Sequence, residues 1–206
     1  MDRFTTLEAV VCPLGLANVD TDQLIPARFM SRSRDQGYGS YLLHDLRFHA
    51  SGEPRSDFIL NAPRYANAKI LVARRNLGTG SSREAAVYAL WDYGIRCVIA
   101  PSFGDIFASN AVKNGLLPAI VTEADVETLL DELATSAPVL RIDLEAQSVG
   151  IAARHFGFQI DPVHRLQLIN GWDDIDLTLR HSEQIAAYRT RRVAAGPWIV
   201  PSSPKA

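Results

Sequence analysis

The sequence predicts an α/β fold built around a parallel β-sheet. From residue 68 onward, short apolar runs of strand type alternate with longer segments of helical type. Two of the helical segments stop at a glycine, Gly94 and Gly115, as helices commonly do. Such alternation implies parallel strands joined by helical crossovers. At 206 residues and 47% hydrophobic content the chain can form one complete core, so we expect a single domain over residues 1–206.

Each element of this alternation can be placed in chain order. By residue number, we predict strand 6–14, strand 68–73, helix 82–93, strand 96–100, helix 105–114, strand 116–121 and helix 123–134. Thr122 can cap the last of these helices, because a hydroxyl just before the first turn accepts an unpaired backbone N–H.

The pattern changes in the last third of the chain. Residues 139–151 and 156–160 have the composition of paired strands. Asp161 followed by Pro162 is typical of an N-cap with proline at the first helical position. Residues 182–194 form a last amphipathic segment, so we expect the domain to end in a C-terminal helical tail.

The segment 31–57 is the least regular part of the chain. It combines many charged residues with glycine at positions 37, 39 and 52 and proline at position 54. We therefore predict a long surface loop here, and loops of that length in compact domains are commonly functional.

The charge pattern argues against several classes of partner. The formal net charge is -2 and no long basic block occurs, which disfavours nucleic acid and anionic membranes. No apolar run approaches the length needed to cross a bilayer, and the amino end is acidic and polar, unlike a signal peptide. We expect a cytoplasmic protein.

Cysteine and histidine usage predicts that this chain binds no metal by itself. Cys12 and Cys97 are the only cysteines, and both are expected to be buried and reduced. Two thiols cannot hold an iron–sulfur cluster, which needs about three or four. The five histidines show no spacing typical of metal ligands.

The run from Asn76 to Glu84 carries the strongest chemical signal. It reads Asn-Leu-Gly-Thr-Gly-Ser-Ser-Arg-Glu and stands where a predicted strand turns into a predicted helix. Gly78 and Gly80 let the backbone approach a ligand, and a helix N-terminus presents unpaired N–H groups with a positive dipole end. Arg83 opposes that dipole and is better explained by an anionic ligand between them. The pattern predicts a site for an anion such as a carboxylate.

Structural interpretations of the same region stay open. Ser81 and Glu84 have the spacing of a capping box, in which the two side chains satisfy the first N–H groups of a helix. The glycines can equally serve only a tight strand-to-helix turn. Upstream, Asp20 and Asp22 have the composition of turn residues. A nucleotide site is disfavoured, since both the third glycine of a dinucleotide fingerprint and the lysine of a phosphate-binding loop are missing.

Several segments together resemble one protein family. They are Asn18 to Phe29 (NVDTDQLIPARF), Gly78 to Glu84 (GTGSSRE), Asp92 to Phe103 (DYGIRCVIAPSF), Asp105 to Phe107 (DIF), Lys113 to Pro118 (KNGLLP) and Gly171 to Leu179 (GWDDIDLTL). On these residues, and over about positions 5 to 195, the chain is similar to the small subunits of 3-isopropylmalate dehydratase. That family is the swivel domain of the aconitase superfamily as a separate polypeptide.

The resemblance implies a three-layer β/β/α swivelling domain of the aconitase C-terminal type. It also implies a hydro-lyase that is active only with a large subunit, which holds the [4Fe-4S] cluster. The implied reaction interconverts 2-isopropylmalate and 3-isopropylmalate by dehydration and rehydration in leucine biosynthesis. Cluster iron would act as the Lewis acid on the leaving hydroxyl, so this chain would supply the base.

The resemblance implies a catalytic set. Ser81 matches the serine that removes the carbon-bound proton as an alkoxide. Because a serine hydroxyl is a very weak acid, such a site must stabilise the negative oxygen through N–H groups and a nearby cation. Thr21 and Asp22 match the polar pair beside that serine, with Asp22 as its hydrogen-bonding orienter.

The resemblance also implies a substrate-binding set. Arg83 matches the arginine that clamps a substrate carboxylate. The backbone N–H of Ser82 is a candidate oxyanion donor, next to Gly80 and its accessible backbone. Arg34 matches a second carboxylate-binding arginine, for which Arg32 is a competitor.

The chain departs from the family motif at two positions. Leu77 stands where the family usually has phenylalanine, and Ala85 where it usually has histidine. Two alternatives therefore stay beside the isopropylmalate enzyme. One is the small subunit of a related hydro-lyase, homoaconitase-like or acting on another alkyl-malate, and residues 36–48 would lie near the distinguishing part of its substrate. The other is a non-catalytic anion-binding module, against which the retained set of Asp22, Ser81 and Arg83 argues.

Overall fold

Seven β-strands of the described chain form one mixed sheet. The computed structural model describes residues 1–135, 139–196 and 198. The strands are β1 (Thr6–Pro13), β2 (Ile70–Val72), β3 (Cys97–Ala100), β4 (Leu117–Ile120), β5 (Val139–Asp143), β6 (Ser148–Ile151) and β7 (Arg154–Gly157). Their order across the sheet is β4-β3-β2-β1-β5-β6-β7.

Strand β1 joins a parallel half of this sheet to an antiparallel half. Its second part pairs in parallel with β2, where Val11 lies beside Ile70, and β3 and β4 continue in parallel. Its first part pairs antiparallel with β5, where Leu7 lies beside Ile142, and β6 and β7 follow as antiparallel neighbours. The parallel half confirms the alternation of strands and helices predicted from residue 68 onward.

Eight α-helices of the described residues accompany the sheet. They are α1 (Thr21–Leu24), α2 (His44–Arg47), α3 (Ala85–Tyr93), α4 (Asp105–Lys113), α5 (Glu123–Thr135), α6 (Pro162–Asn170), α7 (Asp174–Leu179) and α8 (Ser182–Ala195). The predicted caps are confirmed. Oγ1 of Thr122 accepts from the backbone N of Asp125 at 3.2 Å before α5, and Asp161 accepts from Val163 N at 2.8 Å before α6.

Side chains of the parallel strands alternate between two hydrophobic clusters, one on each face. Cys12, Leu71 and Val98 belong to the first cluster, which includes residues of α1 and α3. Ile70 and Cys97 belong to the second cluster, which includes residues of α5 and of the antiparallel strands β5, β6 and β7. The antiparallel half and α3 therefore lie on opposite faces of the parallel half, which confirms the predicted β/β/α layering.

Helix α3 begins at Ala85, three residues later than the sequence predicts. Glu84 holds the N-cap position in a helical conformation, and none of the described side chains caps the helix. The capping-box interpretation of Ser81 and Glu84 is therefore wrong. Glu84 does not reach back to the start of the helix because its carboxylate makes a tertiary contact: it accepts from Nδ2 of Asn114 at 2.7 Å.

Residues 139–151 form two strands, β5 and β6, where the sequence predicts one. The turn between them covers residues 144–147 and places Gln147 at φ +51°. It contains neither glycine nor proline, so no breaker marks it in the sequence. Strand β7 also begins earlier than the predicted strand 156–160, directly after a second tight turn with Ala152 at φ +49°.

The prediction of a surface loop over residues 31–57 is wrong for the middle of that segment, which is buried. Leu42 and Leu43 are fully buried and Tyr38 is 6% exposed, and all three belong to the first hydrophobic cluster. Nη1 of Arg47 donates to the carbonyl O of Leu42 at 3.2 Å. Charge that suggested exposure thus satisfies a backbone group of a buried segment.

The chain divides into two compact units. The first is Met1–Gly171 and contains the whole sheet, and the second begins at Trp172 and contains α7 and α8. A capping box of Asp173 and Asp176 begins α7, which is not among the predicted helices. The predicted single domain over 1–206 also includes residues 136–138, 197 and 199–206, which lie outside the described residues.

Candidate active site

The run over residues 76–84, here called the glycine-rich turn, lies just beyond the carboxyl end of β2. On one side the backbone N of Gly78 donates to the carbonyl O of Val19 at 2.7 Å. On the other side the backbone N of Leu77 donates to the carbonyl O of Ser102 at 3.1 Å. Ligands of open α/β sheets bind at the carboxyl ends of parallel strands, and this turn occupies such a position.

Gly78 is required where the glycine-rich turn crosses α4. Its φ is +74°, and a Cβ at this residue would lie 2.2 Å from Cγ of Phe107. Gly104, which precedes α4, makes a similarly close approach: a Cβ there would lie 2.4 Å from the carbonyl O of Gly78. The turn and the helix therefore pack backbone to side chain with no room for a further carbon atom.

We expect Gly78→Ala to lower the free energy of unfolding by about 2 to 4 kcal/mol, because a left-handed alanine and an overlap with Phe107 are both unfavourable. Gly52→Ala is the matched control, since Gly52 also has a positive φ, +86°, and the described structure has nothing within 4 Å of its added Cβ. The control should lose only about 1 kcal/mol. Urea unfolding measures both values. Equal losses would show that Phe107 does not restrict this position.

Thr21 connects the glycine-rich turn to helix α1. It is 1% exposed, and its Oγ1 donates to the carbonyl O of Ser81 at 3.0 Å. Its backbone N donates to the carbonyl O of Thr79 at 2.9 Å. Gly80 lies against the same side chain: its φ is +102°, and a Cβ there would lie 3.3 Å from Thr21 Oγ1. Thr21 therefore holds the backbone of Ser81 from the buried side.

Ser81 and Ser82 are exposed at the tip of the glycine-rich turn. A cavity of about 210 Å³ lies beside Ser81, and Asp105 and Ile106 of α4 line its other side. This volume is below the roughly 300 Å³ of the smallest usual ligand pockets. These residues therefore form only part of a binding site, and a second surface is needed to enclose a small molecule.

Arg83 and Asp22 form an ion pair across the site. Nη1 of Arg83 donates to Oδ1 of Asp22, and the two side chains are 24% and 57% exposed. The family resemblance predicts that Asp22 orients Ser81, whereas in the structure its partner is Arg83, because the guanidinium attracts the nearest carboxylate. A carboxylate of a ligand can make the same charge-assisted contact.

Asp20 has a local structural role. Its Oδ1 accepts from the backbone N of Gln23 at 2.7 Å, and Gln23 Oε1 accepts from the backbone N of Asp20 at 3.0 Å. This capping box begins α1, so Asp20 has a structural role as the N-cap of a helix, where the sequence predicts a turn residue. Asp22, two residues later in the first turn of α1, is left directed at Arg83.

The side chain of Arg34 packs against helix α3, the helix that follows the glycine-rich turn. Its guanidinium carbon is 3.6 Å from the centroid of the Tyr88 ring, and its Nη2 is 3.8 Å from Oδ1 of Asp92. The guanidinium of the competitor, Arg32, lies 5.7 Å from the centroid of the Tyr41 ring. Arg34 therefore contacts α3, whereas Arg32 contacts the ring of Tyr41.

Sequence reasoning missed the parts played by Tyr88, Asp92 and Asp105. Tyr88 and Asp92 stand four and eight residues after Glu84, so the three lie on one face of α3. This polar series inside an otherwise apolar helix was the available signal. Asp105 carries no comparable signal, because an acidic residue in a first helical turn is ordinary.

Cys12 and Cys97 are fully buried and unbridged, as predicted. They belong to different hydrophobic clusters, on opposite faces of the parallel strands. Burial raises the pKa of Cys12 to about 12, with a smaller opposing effect of Arg64, and burial also raises the pKa of Cys97. Both thiols therefore stay protonated near neutral pH and serve packing.

The described residues do not form a metal centre. Over the ranges that the structure describes, no group of three His, Cys, Asp or Glu side chains is placed to hold a metal ion. A [4Fe-4S] cluster, which binds three or four thiolates, does not fit two buried cysteines on opposite faces of a sheet. In the same part of the chain, no helix has the length and apolar character needed to cross a membrane.

Comparison with known proteins first defines the class. The family model of the aconitase C-terminal domain matches residues 1–124. The model of the C-terminal domain of 3-isopropylmalate dehydratase small subunits matches residues 174–202. The fold and the glycine-rich turn are together those of an aconitase-type swivel domain.

Individual relatives narrow the class. The 3-isopropylmalate dehydratase small subunits of Rhodospirillum centenum and Xanthobacter autotrophicus are 48% and 47% identical to the chain, over 97% of it and 100% of each relative. A crystal structure of 3-isopropylmalate dehydratase from Methanocaldococcus jannaschii matches with a TM-score of 0.63 at 25% identity, over 88% of this chain and 99% of that one. The chain belongs to the family of 3-isopropylmalate dehydratase small subunits, which confirms the family that the motifs predict.

Proposed function

We propose that this chain is the base-bearing small subunit of a hydro-lyase that interconverts 2-isopropylmalate and 3-isopropylmalate in leucine biosynthesis. Family membership over nearly the whole chain supports this activity. The observation that carries the catalytic part is the geometry of Ser81. Its side chain is exposed beside a cavity while its backbone is held by the buried Thr21 hydroxyl.

Ser81 is the proposed base. As an alkoxide, its Oγ would take the proton from the carbon next to a substrate carboxylate and return a proton in the reverse direction. The guanidinium of Arg83 and the backbone N–H of Ser82 are the proposed stabilisers of negative oxygen. Because Thr21 holds the Ser81 backbone, these groups need little rearrangement when charge develops.

Arginines are the proposed ligands of the substrate carboxylates. Isopropylmalate is a dicarboxylate, and Arg83 and Arg34 offer one planar guanidinium to each group. A substrate carboxylate would replace Asp22 on Arg83, which leaves Asp22 close to the reacting centre. Gly80, with no side chain, would let the substrate lie against the backbone.

In this proposal a large subunit supplies the rest of the active site. The cavity beside Ser81 is open, so another protein surface must cover it. The partner holds a [4Fe-4S] cluster, which when bound supplies a Lewis acid for the leaving hydroxyl. The complex is a heterodimer or a higher hetero-oligomer in the cytoplasm, and neither nucleic acid nor a membrane takes part.

We expect the purified chain alone to be colourless and inactive, and the complex formed by anaerobic co-expression with its large subunit to convert both isopropylmalates. Iron and sulfide analysis of each preparation, with assays on 2- and 3-isopropylmalate, measures this. A panel of other alkyl-malates and homoaconitate distinguishes the related hydro-lyases. Stoichiometric cluster in the isolated chain, or a cluster-loaded complex without turnover on isopropylmalate, would refute the proposal.

A further inference from the structure

Helix α3 presents a polar face on which a part of the irregular N-terminal region lies. The face includes Tyr88 and Asp92, and the segment on it includes Arg34 and Tyr38. Both elements are remote in sequence, so these contacts are tertiary. Tyr38 belongs to the first hydrophobic cluster and Tyr88 packs against it, so burial anchors the segment on α3 in addition to these polar contacts.

Tyr88 and Asp92 contact the Arg34 guanidinium from two directions. The guanidinium carbon lies 3.6 Å from the ring centroid of Tyr88, which places the cation directly on the ring face. Oδ1 of Asp92 lies 3.8 Å from Nη2 of Arg34. The arginine side chain is 44% exposed and the Asp92 side chain 19% exposed. The guanidinium is thus held while part of it still faces solvent.

The backbone of the same segment is seated on α3 independently of Arg34. The second oxygen of Asp92, Oδ2, accepts from the backbone N of Tyr38 at 2.9 Å. A Cβ at Gly39 would lie 2.6 Å from the backbone N of Tyr93, so the segment approaches the helix backbone as closely as a glycine allows. The main chain would therefore stay in place without the arginine contacts.

The polar face leads from Arg34 to the proposed active site. Burial raises the pKa of Tyr88, and the Glu84 carboxylate beside its hydroxyl adds to this. Tyr88 is one helical turn, about 6 Å along the axis, from Glu84. Glu84 directly follows Arg83, so Tyr88 contacts the residue next to the first proposed carboxylate-binding arginine while its ring lies under the guanidinium of the second.

We propose that Tyr88 and Asp92 are positioning residues that hold the Arg34 guanidinium ready for the second carboxylate of a dicarboxylate substrate. The inference rests on the proposed function. A free arginine side chain has many rotamers, and ordering it on binding lowers affinity. Stacking on Tyr88 and pairing with Asp92 order it beforehand, so substrate binding is stronger than with an unsupported arginine.

We expect Tyr88→Leu to raise KM of the assembled, cluster-loaded enzyme by about 5- to 30-fold, because the ring face under the cation is lost. The kcat should stay within about 3-fold, since the reacting atoms are not touched. Tyr88→Phe is the intermediate variant, because it keeps the ring face but loses the hydroxyl, which bonds Glu84 and Arg34. Its KM should stay clearly below that of Tyr88→Leu, within about 3-fold of the parent value.

Asp92→Asn tests the second contact. Asparagine keeps an oxygen that can accept from Tyr38 N but loses the charge that pairs with Arg34. We expect a KM increase of about 3- to 10-fold with a thermal melt close to that of the parent. A lowered melting temperature with an unchanged KM would show that Asp92 anchors the segment and does not position the arginine.

A double-variant cycle separates this inference from the proposed function. Arg34→Ala should raise KM by itself, and Tyr88→Leu should then add nothing in that background. If Tyr88→Leu raises KM equally with and without Arg34, the positioning role is overturned while the function stands. If Arg34→Ala leaves KM unchanged, Arg34 is not a substrate ligand and the inference is overturned with it. Ser81 variants test the base separately.

Discussion

Ser81→Ala should lower kcat of the assembled enzyme by about 10²- to 10⁴-fold, because it removes the proposed base. Folding should be nearly unaffected. Ser81 is exposed and does not cap α3, so losing its hydroxyl should change the free energy of unfolding by less than about 0.5 kcal/mol. Steady-state kinetics and urea unfolding of the same preparation measure the two effects separately.

Ser82→Ala is the matched control for this variant. Ser82 is also exposed, but its proposed contribution is a backbone N–H that alanine keeps. We expect its kcat to fall by no more than about 5-fold. Near-normal turnover of Ser81→Ala would remove Ser81 from the catalytic role, and similar losses in both variants would indicate damage to the turn.

Arg83→Lys should lower kcat/KM by about 10- to 100-fold, mainly through KM, because lysine keeps the charge but loses the two-pronged contact with a carboxylate. The unfolding free energy should change by less than about 1 kcal/mol, since the partner Asp22 is 57% exposed and exposed ion pairs contribute little. Kinetics on both isopropylmalates and matched thermal melts measure this.

Arg75→Lys serves as the control for Arg83→Lys. Arg75 also pairs with a carboxylate, Glu123, at 3.5 Å, and both side chains are more than half exposed, at 60% and 63%. It lies one residue before the glycine-rich turn and takes no part in the proposed site. The control should leave kcat/KM within about 2-fold of the parent. An unchanged kcat/KM in Arg83→Lys would remove Arg83 from the site.

Elements with a local signal are those that the sequence predicts well. Helices α5 and α6 begin at residues that the sequence marks, the cap Thr122 and the pair Asp161 and Pro162. Their caps involve side chains and N–H groups a few residues apart, so no distant part of the chain can alter them. Strands β2, β3 and β4 are likewise marked by continuous apolar runs.

Elements without a local signal are those that the sequence predicts poorly. The turn over 144–147 has no glycine or proline, so β5 and β6 look like one strand. The segment 31–57 is rich in charge, yet Leu42 and Leu43 anchor it in the core. Its charges satisfy backbone groups, such as Leu42 O on Arg47, and pairing of this kind depends on the folded chain.

The candidate site divides in the same way. By itself the sequence determined the family, the glycine-rich turn and the candidates Ser81 and Arg83, because these residues are contiguous and their chemistry follows from their types. Only the tertiary structure decided that Asp22 pairs with Arg83, that Glu84 binds Asn114 and does not cap α3, and that Arg34 lies on Tyr88. Each of these contacts joins residues that are distant along the chain, or competes with a local one. Local propensities are worth about 1 kcal/mol per contact, so a single tertiary hydrogen bond is enough to override them.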